Sequence, residues 1–260
     1  MELVLAFTVF VATIIGSISG IGGGVIIKPV MDAICNMPAS EISFLSGTTV
    51  LTMTVVSLLR SYMGGTRVEK RGVPLAIGGA IGGLAGKYLF DLSVSAVPSD
   101  AVSLIQNIIM VALTLIVLVY HVNKERVEKK DIKSYSFSLF MGAVLGVFSS
   151  FLGIGGGPIN IMVLSYFFSM DAKTSALCSL FIIFFSQLVS LLRSVVTNSV
   201  PDFEWGLLAL MMVFAVIGAN LGRWATRKMD NKAVDKLFMI LLVVITLISL
   251  YNVVRFALAV

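Results

Sequence analysis

The chain has 260 residues, 58% of them hydrophobic and 13% charged, with a formal net charge of +5 and a mean hydropathy of +1.01. A soluble domain carries about 25% charged residues, so the composition argues against a soluble enzyme and for a polytopic membrane protein. The basic residues stand between apolar runs, where they set orientation in a bilayer, and no basic–aromatic array points to nucleic acid.

Segment 1 is expected from about Leu3 to Ser19. Its start lacks the positive n-region of a secretory signal, so it reads as an uncleaved first span. Gly20-Ile21-Gly22-Gly23-Gly24 follows. Glycine costs about 1 kcal/mol per residue against alanine in a helix, so the helix breaks there. Lipid cannot satisfy the freed backbone groups, so the break must be buried in protein or line a wet cavity. Segment 2, Val25 to about Ile34, is shorter than the ~20 residues a span needs. It contains Pro29 and carries Lys28 and Asp32 at i,i+4, which places them on one helix face.

Met37-Pro38-Ala39-Ser40 reads as a turn with Ser40 capping segment 3. Segment 3, about Ile42 to Tyr62, is rich in hydroxyls (Ser46, Thr48, Thr49, Thr52, Thr54) and has Arg60 in its last turn. A basic loop, Gly64–Arg71, leads to segment 4, about Val73 to Phe90. Its glycines form a small-residue stripe suited to close helix packing, within one chain or between copies in an oligomer. Val94–Pro98 reads as an uncharged loop, and segment 5 as about Val102 to Tyr120. His121–Ser134 is hydrophilic, and His121, the only histidine, is expected to be solvated beside it.

The pattern then restarts with segments at about Phe137–Leu152, Pro158–Phe168, Thr174–Val196, Trp205–Thr226 and Val234–Phe256. At a constant offset of 133, Gly20–Ser61 aligns with Gly153–Ser194 without a gap, with 16 of 42 positions identical. The matches include the whole glycine motif, which returns as Gly153-Ile154-Gly155-Gly156-Gly157, and Ser57–Ser61 against Ser190–Ser194. At an offset of 136, Gly82, Gly86 and Lys87 meet Gly218, Gly222 and Arg223. The expected organisation is repeat 1 over residues 1–122, a basic cytoplasmic linker over 123–134, and repeat 2 over 135–260.

The loops 64–71, 121–134 and 227–236 are rich in Lys and Arg, so they belong in the cytoplasm. Segment 3 then ends inside and its counterpart, segment 8, outside. The expected fold is an all-α polytopic membrane protein. It has two inverted-topology repeats of about five hydrophobic segments, with glycine-broken helices near the midplane, a recurrent plan of secondary transporters.

Helices that start after Gly24 and Gly157 aim free N–H groups and positive dipole ends at the breaks. Pro158 fits a first helical turn. The substrate-binding candidates are Gly20, Gly22, Gly23 and Gly24, their counterparts Gly153, Gly155, Gly156 and Gly157, and the neighbouring Ser19, Ser150 and Asn160. Gln187, the amide deep in segment 8, joins them, and Thr48, Thr49 and Thr52 are candidates for the path. Ionisable residues within spans are functional candidates: Lys28 to attract an anion, Asp32 to exchange a proton, and Arg60 and Arg193 as gating residues at the two mouths. Cys35 and Cys178 stand apart with no CxxC or His/Cys cluster. No metal site, cofactor or nucleophile–base pair is therefore expected, and the chain does not read as an enzyme.

Two GxGGG motifs, one per half and each after a hydrophobic span, resemble the sulfite exporter family (TauE/SafE), also described as sulfonate uptake permeases. The resemblance implies proton-linked or other secondary movement of small sulfur-containing anions, such as sulfite and sulfonates, across a bacterial plasma membrane. The partners it implies are a small anionic substrate, protons and the lipid bilayer. An anion channel and a non-transporting membrane subunit are the alternatives.

Overall fold

In the computed structural model, residues 2–259 are described. Met1 and Val260, the outermost residues of the two expected halves, lie outside the described residues. Those residues form ten helices: α1 (Glu2–Ser19), α2 (Gly24–Ile34), α3 (Ala39–Met63), α4 (Gly72–Ala96), α5 (Ser99–Asn123), α6 (Tyr135–Phe151), α7 (Pro158–Phe168), α8 (Ala172–Val196), α9 (Trp205–Lys228) and α10 (Asn231–Ala257). Among the described residues there is no strand. The protein is all-α, and α3, α4, α5, α8, α9 and α10 are each long and apolar enough to cross a membrane.

Three local expectations need correction. Ser40 does not cap α3. The N-cap is Pro38, already extended at φ −59° and ψ 149°, so Ser40 falls inside the first turn and the Ala39 N–H is received by Ser99 Oγ at 2.7 Å. The corresponding position in the second half, Asp171, does cap, accepting from the Thr174 N–H at 2.8 Å. The loop expected over Val94–Pro98 shrinks to two residues, because α4 runs on to Ala96. Ser93 and Ser95 turn their hydroxyls back onto the Leu89 and Leu92 carbonyls. The helix stops only where Pro98 forces Val97 to be extended. His121 is buried rather than solvated. Because α5 continues to Asn123, its ring lies on the inner side of the last turn, 5.1 Å from the Phe238 ring and 3.5 Å from Asp235.

Contacts at the helix ends define two faces. At the basic end, the Lys130 and Ile132 N–H groups donate to the Tyr166 and Phe167 carbonyls at 2.8 and 2.9 Å. Arg71 binds Asp131 at 2.6 Å and holds that carboxyl below the usual carboxylate range. Arg227 donates to the Arg60 carbonyl at 3.0 Å, and the Lys173 N–H donates to Asn231 at 3.1 Å. At the far end, Arg255 binds Asn36 at 3.0 Å, and the Phe44 and Phe203 rings are 5.0 Å apart. Helix α3 therefore runs from the far end to the basic end, and α8 runs the opposite way.

These contacts also settle the short helices. Helix α6 starts beside the linker and α7 ends on it, so α6 and α7 form a hairpin turned at Gly153–Gly157. In the first half, Gly23 stands beside Ala12 and Thr13, so the glycine turn brings the chain back along α1 before α2 begins. An 11-residue helix is about 16 Å long, roughly half a bilayer core of ~30 Å.

The glycine stripe of α4 packs within the chain, on α6. A Cβ at Gly82 would sit 1.9 Å from the Ala143 carbonyl oxygen, and one at Gly146 2.3 Å from that of Gly79. Small residues let two backbones touch, and such contact replaces the hydrophobic drive that lipid cannot supply. Helix α9 packs likewise on α1 through Gly218 and Gly222, and α5 pairs with α10.

Candidate functional site

The two glycine turns meet at the centre of the bundle. Gly20, Gly22, Gly153 and Gly155 have φ of +76°, +88°, +64° and +73°, a region that residues with a Cβ rarely adopt. Space is also lacking. A Cβ at Gly20 would lie 2.2 Å from Ala176 Cα, and one at Gly153 would lie 2.6 Å from Ser43 Cβ. Ser43 and Ala176 are themselves 133 positions apart, so each turn presses on the equivalent residue of the other half. The same exchange joins Gly155 to Val50 and Gly22 to Ile183. Val50 and Ile183 are fully buried and close the middle of the protein.

Beside Gly153 lies a small cavity of about 30 Å³, enough to hold water. Ser43 and Thr48 of α3, Lys87 of α4, Ser150 at the end of α6, and Gln187 and Ser190 of α8 line it. The Ser43 and Thr48 hydroxyls are buried and have no hydrogen-bond partner. Gln187 Nε2 donates to Ser149 Oγ at 3.2 Å, and its side-chain oxygen stands against Gly47, where a Cβ would come within 2.8 Å. An ammonium, an amide and several hydroxyls converge here with little room, and two of the hydroxyls are unsatisfied. Buried polar groups of this kind are costly unless they find a partner.

Lys87 is held at the rim. Its Nζ is 2.8 Å from Asp91 Oδ1, and Arg193 Nε is 3.6 Å from the other oxygen of the same carboxylate. Asp91 thus bridges the cavity's cation to the arginine above it. The Arg193 guanidinium also lies over the Tyr88 ring, 5.2 Å from its centre.

A family model described as sulfite exporter TauE/SafE matches residues 5–248. The chain belongs to the TauE/SafE family. It is also 24% identical over 254 residues to the "Probable membrane transporter protein YunE" of Bacillus subtilis (strain 168), covering 90% of this chain and 92% of that one. No solved structure matches it. Family and apolar helices together make it a multi-pass protein of the cell membrane with a role in membrane transport.

In this TauE/SafE protein the residues singled out from the sequence fall in different places. Ser150, Gln187, Thr48 and Gly153 line the cavity. Gly20, Gly22, Gly23, Gly24, Gly155, Gly156 and Gly157 are buried in the packed crossing of the two turns rather than along that cavity. Ser19 returns its hydroxyl to the Ile15 carbonyl at 2.8 Å, and Thr49 and Thr52 do the same one turn back. Asn160 donates to Ser179 at 3.1 Å behind Gly156. Arg60 binds Asn220 at the basic end, and Arg193 stands near the far end.

Lys28 and Asp32 share a face, as their spacing requires, with Nζ and Oδ2 2.8 Å apart and both side chains buried. They do not reach the cavity. Asn107 of α5 donates to Asp32 at 3.0 Å. Asn252 of α10 donates to the Asn107 side chain at 3.2 Å and to the Pro29 carbonyl at 2.8 Å. The pair fastens α2 to α5 and α10.

Sequence reasoning missed Ser43, Lys87 and Asp91 as site residues. The signal for Lys87 was present, since it aligns with Arg223 at the offset of 136, and a basic residue kept in both copies of an apolar segment is a functional candidate.

Proposed function

We propose that the protein is a secondary transporter of small sulfur-containing oxyanions, with sulfite and sulfonates as the substrate class. It works by alternating access around the paired glycine breaks. The observation that carries this reading is the Lys87 cavity, where one ammonium and two unpartnered buried hydroxyls converge beside a glycine break. Hydroxyl and amide donors suit sulfur-bound oxygens, and Lys87 supplies the charge.

On this reading the basic end is cytoplasmic, and residues 1–122 and 135–260 are inverted repeats joined by a cytoplasmic linker over 123–134. Support comes from the reciprocal contacts at an offset of 133 and from the opposite directions of α3 and α8. At about 30 Å³ the cavity is contracted, and admitting an oxyanion requires α3 and α4 to part from α8. Asp91 holds that wall shut by joining Lys87 to Arg193. An incoming anion competes with Asp91 for both cations, so binding and opening are coupled.

Lys28 and Asp32 act on this reading as a tether of α2. Removing one partner of a buried pair costs about 3–5 kcal/mol, whereas replacing both is often close to neutral. Asp32→Asn is therefore expected to lower thermal stability, and Lys28→Gln/Asp32→Asn to recover much of it with an unaltered pH profile of flux. A shifted pH profile in the double variant would instead make Asp32 the proton carrier.

The reading as a whole is tested by labelled sulfite, sulfate, thiosulfate and sulfonates in proteoliposomes, with and without a pH gradient. Saturable flux with counterflow is expected. A passive current that simply follows voltage would make the protein a channel, and no movement of any of these anions would remove the transport reading for this substrate class.

A further inference from the structure

We propose a second oxyanion site at the basic end, with Arg223 as its floor and the aqueous phase of that end as its source. It deepens the transport reading by giving the path a second station, and only its place on the path rests on that reading. Arg223 is the counterpart of Lys87 on α9, and it is 7% exposed with its Nε unpartnered. It lines two adjoining cavities, of about 400 and about 150 Å³. Arg60 and Arg227 share the larger, and Arg67, Lys173 and Arg227 share the smaller. The carboxylate among these linings, Glu69, is already bound to Arg71.

The comparison with the Lys87 cavity shows what is missing. There Asp91 neutralises the buried cation. At the offset of 136 the position of Asp91 is taken by Arg227, whose guanidinium turns to the Arg60 carbonyl. The second site therefore has a buried guanidinium, four further cations and, among the described residues, no free protein anion facing it. A buried charge needs a partner, and a guanidinium is shaped to bind two oxygens of one oxyanion at once. The ligand class is a tetrahedral oxyanion of the sulfate or phosphate type. The smaller cavity adds the Thr66 and Thr174 side chains and lies among the loops, open to a free ion. The larger carries Leu221 and Trp224, 43% and 59% exposed, on its rim, which is where the phosphate of an anionic lipid would enter.

Trp224 supplies a reporter that does not depend on transport. Trp205→Phe leaves it as the sole tryptophan, since the chain has two. Titration of this variant with sodium sulfate in neutral detergent is expected to change Trp224 emission saturably. Arg223→Gln should weaken the midpoint about tenfold or more, the loss of a charge-assisted contact. Arg67→Gln, on an exposed loop with little bearing on folding, should weaken it a few-fold. Lys87→Gln should leave it unchanged.

A parallel arm places the protein in nanodiscs with and without phosphatidylglycerol. An Arg223-dependent response to the lipid that sulfate cannot displace would leave the oxyanion site standing and overturn its aqueous source, assigning it to a headgroup. No response to either probe, or a response equal in wild type, Arg223→Gln and Arg67→Gln, would overturn the site. Sulfate binding without any anion flux would leave the site standing and remove the transport reading. Flux that depends on Lys87 without Trp224 binding would do the reverse.

Discussion

Lys87→Gln is expected to lower oxyanion flux in proteoliposomes by about ten- to a hundredfold, the effect of removing a charge-assisted contact worth about 1.5–3 kcal/mol. Lys87 is the ammonium lining the cavity, and Ser43, Thr48, Ser150, Gln187 and Ser190 bring no positive charge of their own. Lys87→Arg should retain part of the flux, since it keeps the charge in a wider head. Asp91→Asn should retain flux as well, because it frees the cation instead of deleting it. The protein should still insert in every case, as the glycine contacts between α4 and α6 are untouched. Flux at the wild-type level in Lys87→Gln, with equal amounts of protein recovered in the proteoliposomes, would take the substrate out of this cavity.

The glycine turns give the second large effect, as a graded series. Gly155→Leu places its Cβ 2.3 Å from Val50 at φ +73°, adding overpacking of about 1–3 kcal/mol to left-handed strain of about 1–2 kcal/mol. Transport should be abolished and Tm lowered. Gly20→Ala should be as severe despite its smaller side chain, because its obstacle is the Ala176 backbone at 2.2 Å. Gly22→Ala meets nothing closer than 3.4 Å and carries the φ strain alone, so it should be the mildest. Thermal unfolding and flux measured on all three test the order. A mild Gly20→Ala beside a severe Gly22→Ala would contradict the packing described here.

Much of the fold is legible in the sequence. Helix positions follow from apolar runs punctuated by glycine, proline and charge, and α7 runs from Pro158 to Phe168 as expected. Errors arose where a remote partner decided the outcome. Ser40 reads as a cap until Ser99, sixty residues on, takes the Ala39 N–H. His121 reads as solvated until α10 supplies Phe238 and Asp235. The site was half legible for the same reason. Glycine motifs announce where a helix must turn, but not which neighbours the turned backbone faces. Lys28 and Asp32 attract attention as charges in a short apolar segment, while Lys87 sits unobtrusively in a glycine-rich one. Which of them borders open space depends on how α4 crosses α8, and no local pattern encodes that crossing.

The tether of α2 bears on how the chain is made. Helix α2 leaves the ribosome carrying a lysine and an aspartate, too short to span and with a proline that strands a carbonyl. Asn107 comes some seventy residues later, and Asn252 and Arg255 only with the last helix. Until then the first hairpin holds an incompletely partnered ion pair at membrane depth. Helices α2 and α10 are thereby made to wait for each other: the α1–α2 hairpin reaches its final contacts only when α10 arrives. A chain that stops before α10 leaves the Pro29 and Asp32 carbonyls without the Asn252 and Arg255 donors that meet them in the finished fold.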